Sequence, residues 1–400
     1  MTAVDALVAK AAQGRRVRGF GVALWEAMRR APDRAGPTLR RGLRQARALH
    51  SVERRLMQEA LYGLVRRGEA LQAVLGTDDP VVLWLAWLVL ERDLPPELAA
   101  AERSEPDWAG LADRIAALDP ATRSGLPAWV VGELRATLRA DDEVAAFLAA
   151  CDVRAPVTLR ANRRRCTAEA LRVRLAADGI ATEPVPGLPD GLRAGRADVE
   201  GTAAFREGWF EVQDAGSQRV AAAVGGGPVL DVCAGAGGKA LALAARGLQV
   251  TALDVRQRAL DELALRAKRA GVRVTRRLVG EDPRQWPADL PRVPWALVDA
   301  PCSGSGVLRR HPEHRWQLEP ARVADRAALQ GALLARAAAQ VVPGGAVVYA
   351  TCSVLRTENE DVVDAFLAGH PGWRLGETLR TWPHRDDCDG FYVATVHAPG

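Results

Sequence analysis

Val229-Leu230-Asp231-Val232-Cys233-Ala234-Gly235-Ala236-Gly237-Gly238-Lys239 is the stretch on which the reading of this 400-residue chain turns. Its first residues suit a buried strand, its middle has almost no side chains, and helix formers follow Lys239. Backbone approaches a ligand closely only where side chains are absent, and a helix N-terminus offers unpaired N–H groups, so this order makes a nucleotide-type cradle. A glycine loop alone fits tight packing equally well. The next apolar strand, however, ends at Asp254, about 20 residues further on, where a carboxylate can bind the two hydroxyls of a ribose. The loop has neither GxGxxG nor the GxxxxGK[ST] of a phosphate cradle, since Ala240 follows Lys239. The expected ligand is adenosine attached to something without a phosphate, and S-adenosylmethionine fits.

Outward from this loop, apolar strands near 228–233, 249–254, 273–279, 294–299 and 345–351 alternate with helical stretches, and further strands are expected in the tail. That alternation predicts an α/β domain with a mostly parallel sheet covered by helices on both faces. Asp299-Ala300-Pro301-Cys302-Ser303-Gly304-Ser305-Gly306 follows the fourth strand, and Ala350-Thr351-Cys352-Ser353 follows the fifth. Ligands of an open parallel sheet sit at the carboxyl ends of its strands, so the two thiols should face one pocket. Such a pair suits methylation of a pyrimidine. C5 is a poor nucleophile until a thiolate attacks C6 and makes C5 enamine-like, able to take a methyl group from a sulfonium. One cysteine attacks and a second can help release. A single strand-end cysteine is more commonly a small buried hydrophobe. Cys233 is assigned to that class, packed against the cofactor loop, and no motif separates Cys151, Cys166 or Cys388 from it.

Residues 1 to about 140 read as helices, with Leu56, Ala60, Leu61, Leu64 and Val65 at helical spacing. Pro95-Pro96, Pro106, Pro120 and Pro127 predict short helices in the second half. After Cys151, a strand at Val153–Leu159, a helix at Thr167–Asp178 and a turn at Gly179–Val185 into another strand outline a small α+β unit. It carries Arg154, Arg160, Arg163, Arg164 and Arg165. The expected domains are 1–140, 141–218 and 219–400. Net charge is +5, yet residues 1–70 hold 15 Lys and Arg against 6 Asp and Glu, leaving 39 against 43 in the rest. Arginine forks in clusters such as Arg15, Arg16 and Arg18, or Arg40, Arg41, Arg44 and Arg47, suit phosphate, though solvated helix faces look the same.

Composition excludes several classes. Hydrophobic residues at 48% and charged residues at 26% are ordinary globular values, which rules against disorder or a fibrous repeat. The longest apolar run, Val81 to Leu90, is about half of a bilayer crossing, so no membrane span is expected. Asp5 stands where a signal peptide carries basic residues, so export is not indicated. Scattered cysteines point to reduced thiols in the cytoplasm, and without a CxxC pair no metal is expected.

The run Asp299 to Gly306 continues as Val307-Leu308-Arg309-Arg310-His311-Pro312-Glu313. With Ala350-Thr351-Cys352-Ser353 and the Asp231–Lys239 loop, it resembles the Sun/Fmu (RsmB-type) RNA cytosine-5 methyltransferases. The resemblance spans about residues 150 to 396 and includes Gln213-Asp214-Ala215-Gly216-Ser217-Gln218 and Asp389-Gly390-Phe391-Tyr392. Leu61-Tyr62-Gly63-Leu64-Val65-Arg66-Arg67 is more weakly similar to the NusB-like helical domain such enzymes carry. The resemblance implies a Rossmann-like S-adenosylmethionine-dependent methyltransferase domain with a helical RNA-binding domain and a small α+β RNA-binding unit before it. It implies Cys352 as nucleophile, Cys302 as the cysteine assisting release, Asp299 at the cytosine amino edge and Lys239 beside the reaction. Cys233, Ala234, Gly235, Ala236, Gly237, Gly238, Lys239, Asp254 and Asp299 are the implied cofactor contacts, with Asp282, or its neighbour Glu281, near the adenine. Gly235-Ala236 stands where the family commonly has Ala-Pro, and Ala240 replaces a usual Thr, which predicts a less rigid loop.

Arg309, Arg310, His311, His314 and Arg315 are expected to grip phosphate near the target nucleotide, while His311 and His314 lack a third metal ligand at suitable spacing. Trp84 and Trp87 are expected in a core, and Glu358–Asp361 as an acidic first helical turn. The chain is thus expected to be a monomeric cytoplasmic enzyme making 5-methylcytidine in small-subunit ribosomal RNA. The alternatives are a transfer-RNA substrate, a non-catalytic RNA-binding assembly factor, and an amino-group methyltransferase. The last would want Asn/Asp-Pro-Pro-Tyr/Phe where Asp299-Ala300-Pro301-Cys302 stands.

Overall fold

The computed structural model describes residues 3–195, 198–287 and 289–400. One compact unit takes the chain up to Val153 together with Leu308–Leu318, and the other holds Arg154–Val307 and Glu319–Gly400.

The first unit is helical. Its longest helix, Ser51–Leu75, starts at His50, whose N–H donates to the Glu53 carboxylate (2.8 Å), and stops at Gly76 in left-handed backbone. The periodic set Leu56, Ala60, Leu61, Leu64 and Val65 is buried, and helix Pro80–Arg92 adds Trp84 and Trp87 to the same core. Burying each of the Leu and Val side chains contributes about 1.5–3 kcal/mol. The prolines punctuate as expected: Pro96–Glu102, Leu111–Ala116 and Pro120–Ser124 are all short. Helix Asp141–Asp152 continues past residue 140. Three acids in its first turn suit the helix dipole, and it buries Val144, Phe147, Leu148 and Cys151. Among the described residues no single helix is long and apolar enough to cross a membrane.

The second unit has two sheets. The smaller contains β1 (Val157–Ala161), β2 (Thr182–Pro184), β3 (Gly191–Ala194) and β4 (Phe210–Val212) in the order β2-β3-β1-β4, all antiparallel. Helix Ala168–Ala177, capped by Thr167, supplies Leu171 and Leu175 to its core. The larger sheet has β5 (Val229–Val232), β6 (Val250–Asp254), β7 (Thr275–Leu278), β8 (Val293–Asp299), β9 (Val341–Thr351), β10 (Arg374–Thr381) and β11 (Phe391–His397). Their order is β10-β11-β9-β8-β5-β6-β7. The five strands from β9 to β7 are parallel, and β11 and β10 join antiparallel. Ala346-Val347-Val348-Tyr349-Ala350 in β9 is at most 1% exposed, as a strand covered on both faces must be. The strand order reverses on either side of β5, so the crevice for a ligand opens at the carboxyl ends of β5 and β8.

Candidate active site

Loops leaving the carboxyl edge of the parallel strands carry the residues singled out in the sequence. The first leads from β5 into helix Gly238–Ala245 and passes through left-handed backbone at Cys233, Gly235 and Gly237 (φ 64°, 56° and 85°). At Gly237 a side chain would run into Leu263, so only glycine fits. The loop is braced at three points despite lacking proline. Gly235 N–H donates to Asp254 Oδ2 (2.7 Å), the Ala236 carbonyl accepts from Arg266 Nη1 (2.8 Å), and Gly237 N–H returns to the Ala234 carbonyl (2.9 Å).

Asp254, at the end of β6, is buried and also accepts from Arg256 N–H (2.9 Å) and Nε (3.0 Å). Burial acts to raise its pKa, but the hydrogen bonds from Arg256 and Gly235 outweigh burial and hold the carboxyl below its ordinary value. Arg256, which the sequence does not single out, is largely exposed and pairs with Asp254. Asp231 is wholly buried, and neither oxygen makes a well-formed hydrogen bond, the Ala240 N–H offering only a weak one. Desolvation first, and the charge of Asp299 second, push it up to about 8. An orphaned carboxyl behind a braced glycine loop, with Asp254 at the next strand end, fits an adenosine ligand bearing a donor-rich, cationic tail.

Lys239 Nζ lies 2.6 Å from Asp299 Oδ2 and 5.2 Å from the centre of the Phe391 ring, bringing the first loop, β8 and the start of β11 together. Asp214 caps helix Ala215–Ala222 and accepts the Asp389 N–H (3.1 Å), which joins the two outlying motif segments. Burial, followed by the charge of Asp299, raises the Cys233 thiol, so this cysteine stays protonated and inert. Asp282 follows β7, but its carboxylate caps the turn Pro283–Gln285 and pairs with Arg284 Nε (2.9 Å), while Glu281 is exposed.

Cys302 and Cys352 lie with their sulfurs 3.3 Å apart. A hydrogen bond with Cys352 first, then desolvation, raises the Cys302 thiol well above its ordinary range. The loops bearing the pair are fused by close backbone packing. Gly306 N–H donates to the Cys352 carbonyl (2.9 Å) and Gly390 N–H to the Gly306 carbonyl (2.8 Å), and a side chain at Gly306 would strike the Gly390 backbone. Beneath them Glu358, fully buried, accepts from Ser303 N–H (2.7 Å) and Gln330 Nε2 (3.2 Å). Glu358 is therefore a clamp on the Cys302 loop and not part of a solvated first helical turn, which begins only at Glu360. The sequence hides this because the clamp's partners are far away along the chain.

Arg309 and Arg315 are also corrected. Both are buried in the helical unit, where Arg315 donates to the Arg66 and Ser124 carbonyls and pairs with Asp152, so neither is placed to grip phosphate. His311 and His314 do have a third potential donor nearby: with Glu313, their ligand atoms lie within 4.8 Å of one another.

Family models describe residues 222–397 as 16S rRNA methyltransferase RsmB/F and residues 126–199 as the ferredoxin-like domain of RsmF/B-like methyltransferases. Ribosomal RNA small subunit methyltransferase B of Salmonella arizonae is 35% identical over 284 residues, covering 68% of this chain and 66% of its own length. The match thus spans just under two thirds of that relative. The crystal structure of PH0851 aligns with 96% of this chain and 98% of its own at a TM-score of 0.74 and 22% identity. A methyltransferase homolog from Pyrococcus horikoshii covers 64% of this chain and 91% of its own at a TM-score of 0.56 and 25% identity. With the Rossmann-like sheet and these matches in hand, the chain belongs to the RsmB/F methyltransferase family.

Proposed function

We propose that the protein is an S-adenosylmethionine-dependent methyltransferase that converts a cytidine of 16S ribosomal RNA to 5-methylcytidine through a bond between Cys352 and C6 of the base. The observation carrying this reading is the 3.3 Å approach of two sulfurs at the carboxyl ends of β8 and β9, on the same sheet edge as the glycine loop. The relatives' ribosomal RNA methyltransferase names supply the substrate class.

The glycine loop Cys233–Lys239, Asp231 and Asp254 hold the cofactor, which supplies an electrophilic sulfonium methyl group. Asp282 is the acid proposed nearest the adenine. Asp299, oriented by Lys239, holds the amino edge of the cytosine. Cys352 gives up its proton to solvent and its sulfur bonds to C6, moving the C5–C6 π pair onto C5, which takes the methyl carbon as that carbon's bond to the donor sulfur breaks, leaving a neutral thioether. Restoring the ring needs the C5 proton removed and the C6–S bond broken, with its pair returning to sulfur. Cys302, kept as a thiol by its raised pKa, passes its proton to the departing Cys352 sulfur and takes the C5 proton. One proton is released overall, as methylation of a C–H by a sulfonium requires.

Incubating the protein with 16S ribosomal RNA and methyl-labelled cofactor, followed by bisulfite sequencing, tests the reading. One protected cytidine is expected. Label on an exocyclic amine or on no base would overturn it.

A further inference from the structure

The turn Pro312–Gln317 in the helical unit is a 3₁₀ helix, a geometry in which residues three apart eclipse. His311, its N-cap, therefore stacks on His314, with ring centroids 5.3 Å apart and planes 15° from parallel. Glu313 brings its carboxylate alongside, Oε1 lying 3.5 Å from His311 Nδ1. One ligand atom from each of the three residues lies within 4.8 Å of the others. Two imidazoles and a carboxylate are thus gathered from one short turn, where sequence spacing shows only the imidazoles.

Glu313 carries a second, independent observation. It is 4% exposed, a side chain at Gly36 would strike its Oε1, and its Oε2 is buried without a hydrogen bond. A carboxylate oxygen cut off from water is costly, and the contact between His311 and Oε1 does nothing for Oε2. A cation held between this carboxylate and the two rings would supply the missing partner.

The turn is anchored through its other residues. Gln317 Nε2 donates to the Pro32 carbonyl (3.2 Å), Trp316 packs edge-on to Trp25 with centroids 5.5 Å apart, and Arg315 is fixed by the Arg66 and Ser124 carbonyls. The donors are therefore gathered in advance, which lowers the cost of binding. The His311 side chain is 39% exposed and leaves a way in from solvent. Tetrahedral bonds of about 2.0–2.1 Å put donors about 3.3 Å apart, so small side-chain rotations close what remains of the 4.8 Å.

We infer that His311, Glu313 and His314 form a binding site for one divalent transition-metal ion of the zinc class, with water completing the coordination. Two nitrogen donors beside one oxygen favour such an ion over Mg²⁺ or Ca²⁺, which take oxygen ligands. The positive charges of Arg40, close to Gly36, and of Arg310, next to His311, hold the affinity to about the micromolar range. The ion locks the turn in its folded geometry. This role is separate from the methyl-transfer reading and stands or falls without it.

The full-length chain is stripped with EDTA and titrated calorimetrically, with Cys302→Ser/Cys352→Ser as the parent protein so that the paired sulfurs cannot take the ion. One equivalent of Zn²⁺ is expected to bind, and no Mg²⁺. His311→Ala and His314→Ala should each weaken Zn²⁺ binding at least ~30-fold, and Glu313→Gln, which keeps the shape and loses the charge, about 10-fold. Zn²⁺ should raise the Tm of the parent and leave that of His314→Ala unchanged. Co²⁺ should give a visible d–d band without the near-ultraviolet absorption of a thiolate ligand. No bound equivalent in the parent, or equal affinity in the parent and both histidine variants, overturns the site. A thiolate band puts the ion on a cysteine and overturns it as well. Circular dichroism checks the fold of each variant, and His311→Ala, altering a half-exposed side chain, carries the comparison should His314→Ala lose helicity.

Discussion

Ser303 Oγ donates to Glu358 Oε2 across 2.5 Å although 55 residues separate them, and this contact ties the Cys302 loop to the turn after Cys352. Ser353 Oγ lies 3.0 Å from Ser305 Oγ, Asn359 Nδ2 donates to the Ser353 carbonyl (3.0 Å), and Tyr349 Oη donates to the Glu358 carbonyl (2.6 Å). The two sulfurs are therefore held by a polar core and not by the flexibility of their own side chains.

Glu358→Ala should leave the Ser303 N–H without its buried acceptor, at ~1–3 kcal/mol for the group left unpaired, and should remove one of the partners of the Ser303 hydroxyl and of the Gln330 amide, which keeps the Pro301 carbonyl (2.9 Å). The expected result is a lower Tm and a fall in single-turnover methylation of at least ~10-fold, with cofactor affinity unchanged because the glycine loop is untouched. Glu358→Gln keeps one acceptor and should recover part of both. Calorimetry and rapid-quench kinetics read the two effects, and an unaltered transfer rate in the alanine variant would remove Glu358 from the positioning of Cys302.

The two cysteines are expected to fail differently. Cys352→Ala should abolish methyl transfer while cofactor affinity, measured by calorimetry, stays within about twofold. Cys302→Ala should allow attack but block resolution, leaving a protein–RNA adduct as a shifted band on a denaturing gel. Near-normal turnover in the first variant, or free protein alone in the second, contradicts the assigned roles.

The strands that build the site were legible because buried parallel strands are nearly continuous apolar runs, and the chemistry sits at their ends, as at Asp254, Asp299 and Cys352. Very short strands are less legible: β3 and β4, only four and three residues long, have no counterpart among the expected strands, whereas the exposed edge strand Thr275–Leu278 falls within the expected 273–279. What sequence cannot convey is which polar side chains meet after folding. Glu358 looks like part of an acidic helix start, and Arg315 like a surface cation, until tertiary contacts bury each beside distant partners. Arg256, which pairs with Asp254, and Arg266, which braces the glycine loop, have no motif of their own.

The N-terminal basic faces can be tested only by surface substitution, because Trp25, Leu39, Leu61 and Leu64 lie in the helical core and deleting residues 1–70 would destroy it. Arg40, Arg41, Arg44 and Arg47 are exposed. Replacing all four with Ala should flatten the salt dependence of RNA binding by up to about 4 with no loss of helicity by circular dichroism. A slope equal to wild type would show these charges to be a solvated face.

Asp231 supplies a pH dependence whose sign follows from its environment. Desolvation, with the Asp299 charge adding to it, raises the folded-state pKa to about 8, against 3.8 for the unpaired side chain. Between these values the folded protein binds one proton more than the unfolded chain, so the contribution of Asp231 is full below the lower value and is lost as pH rises through the upper one. The slope is at most ~1.4 kcal/mol per pH unit. Asp231→Asn cannot titrate, so its Tm relative to wild type should climb from pH 5 to pH 8 and level off above. If the neutral carboxyl is what the folded state prefers, the two proteins should differ least near pH 4. Differential scanning calorimetry across pH 4 to 9 checks this, and a Tm difference independent of pH would mean that Asp231 is ionised in the folded protein.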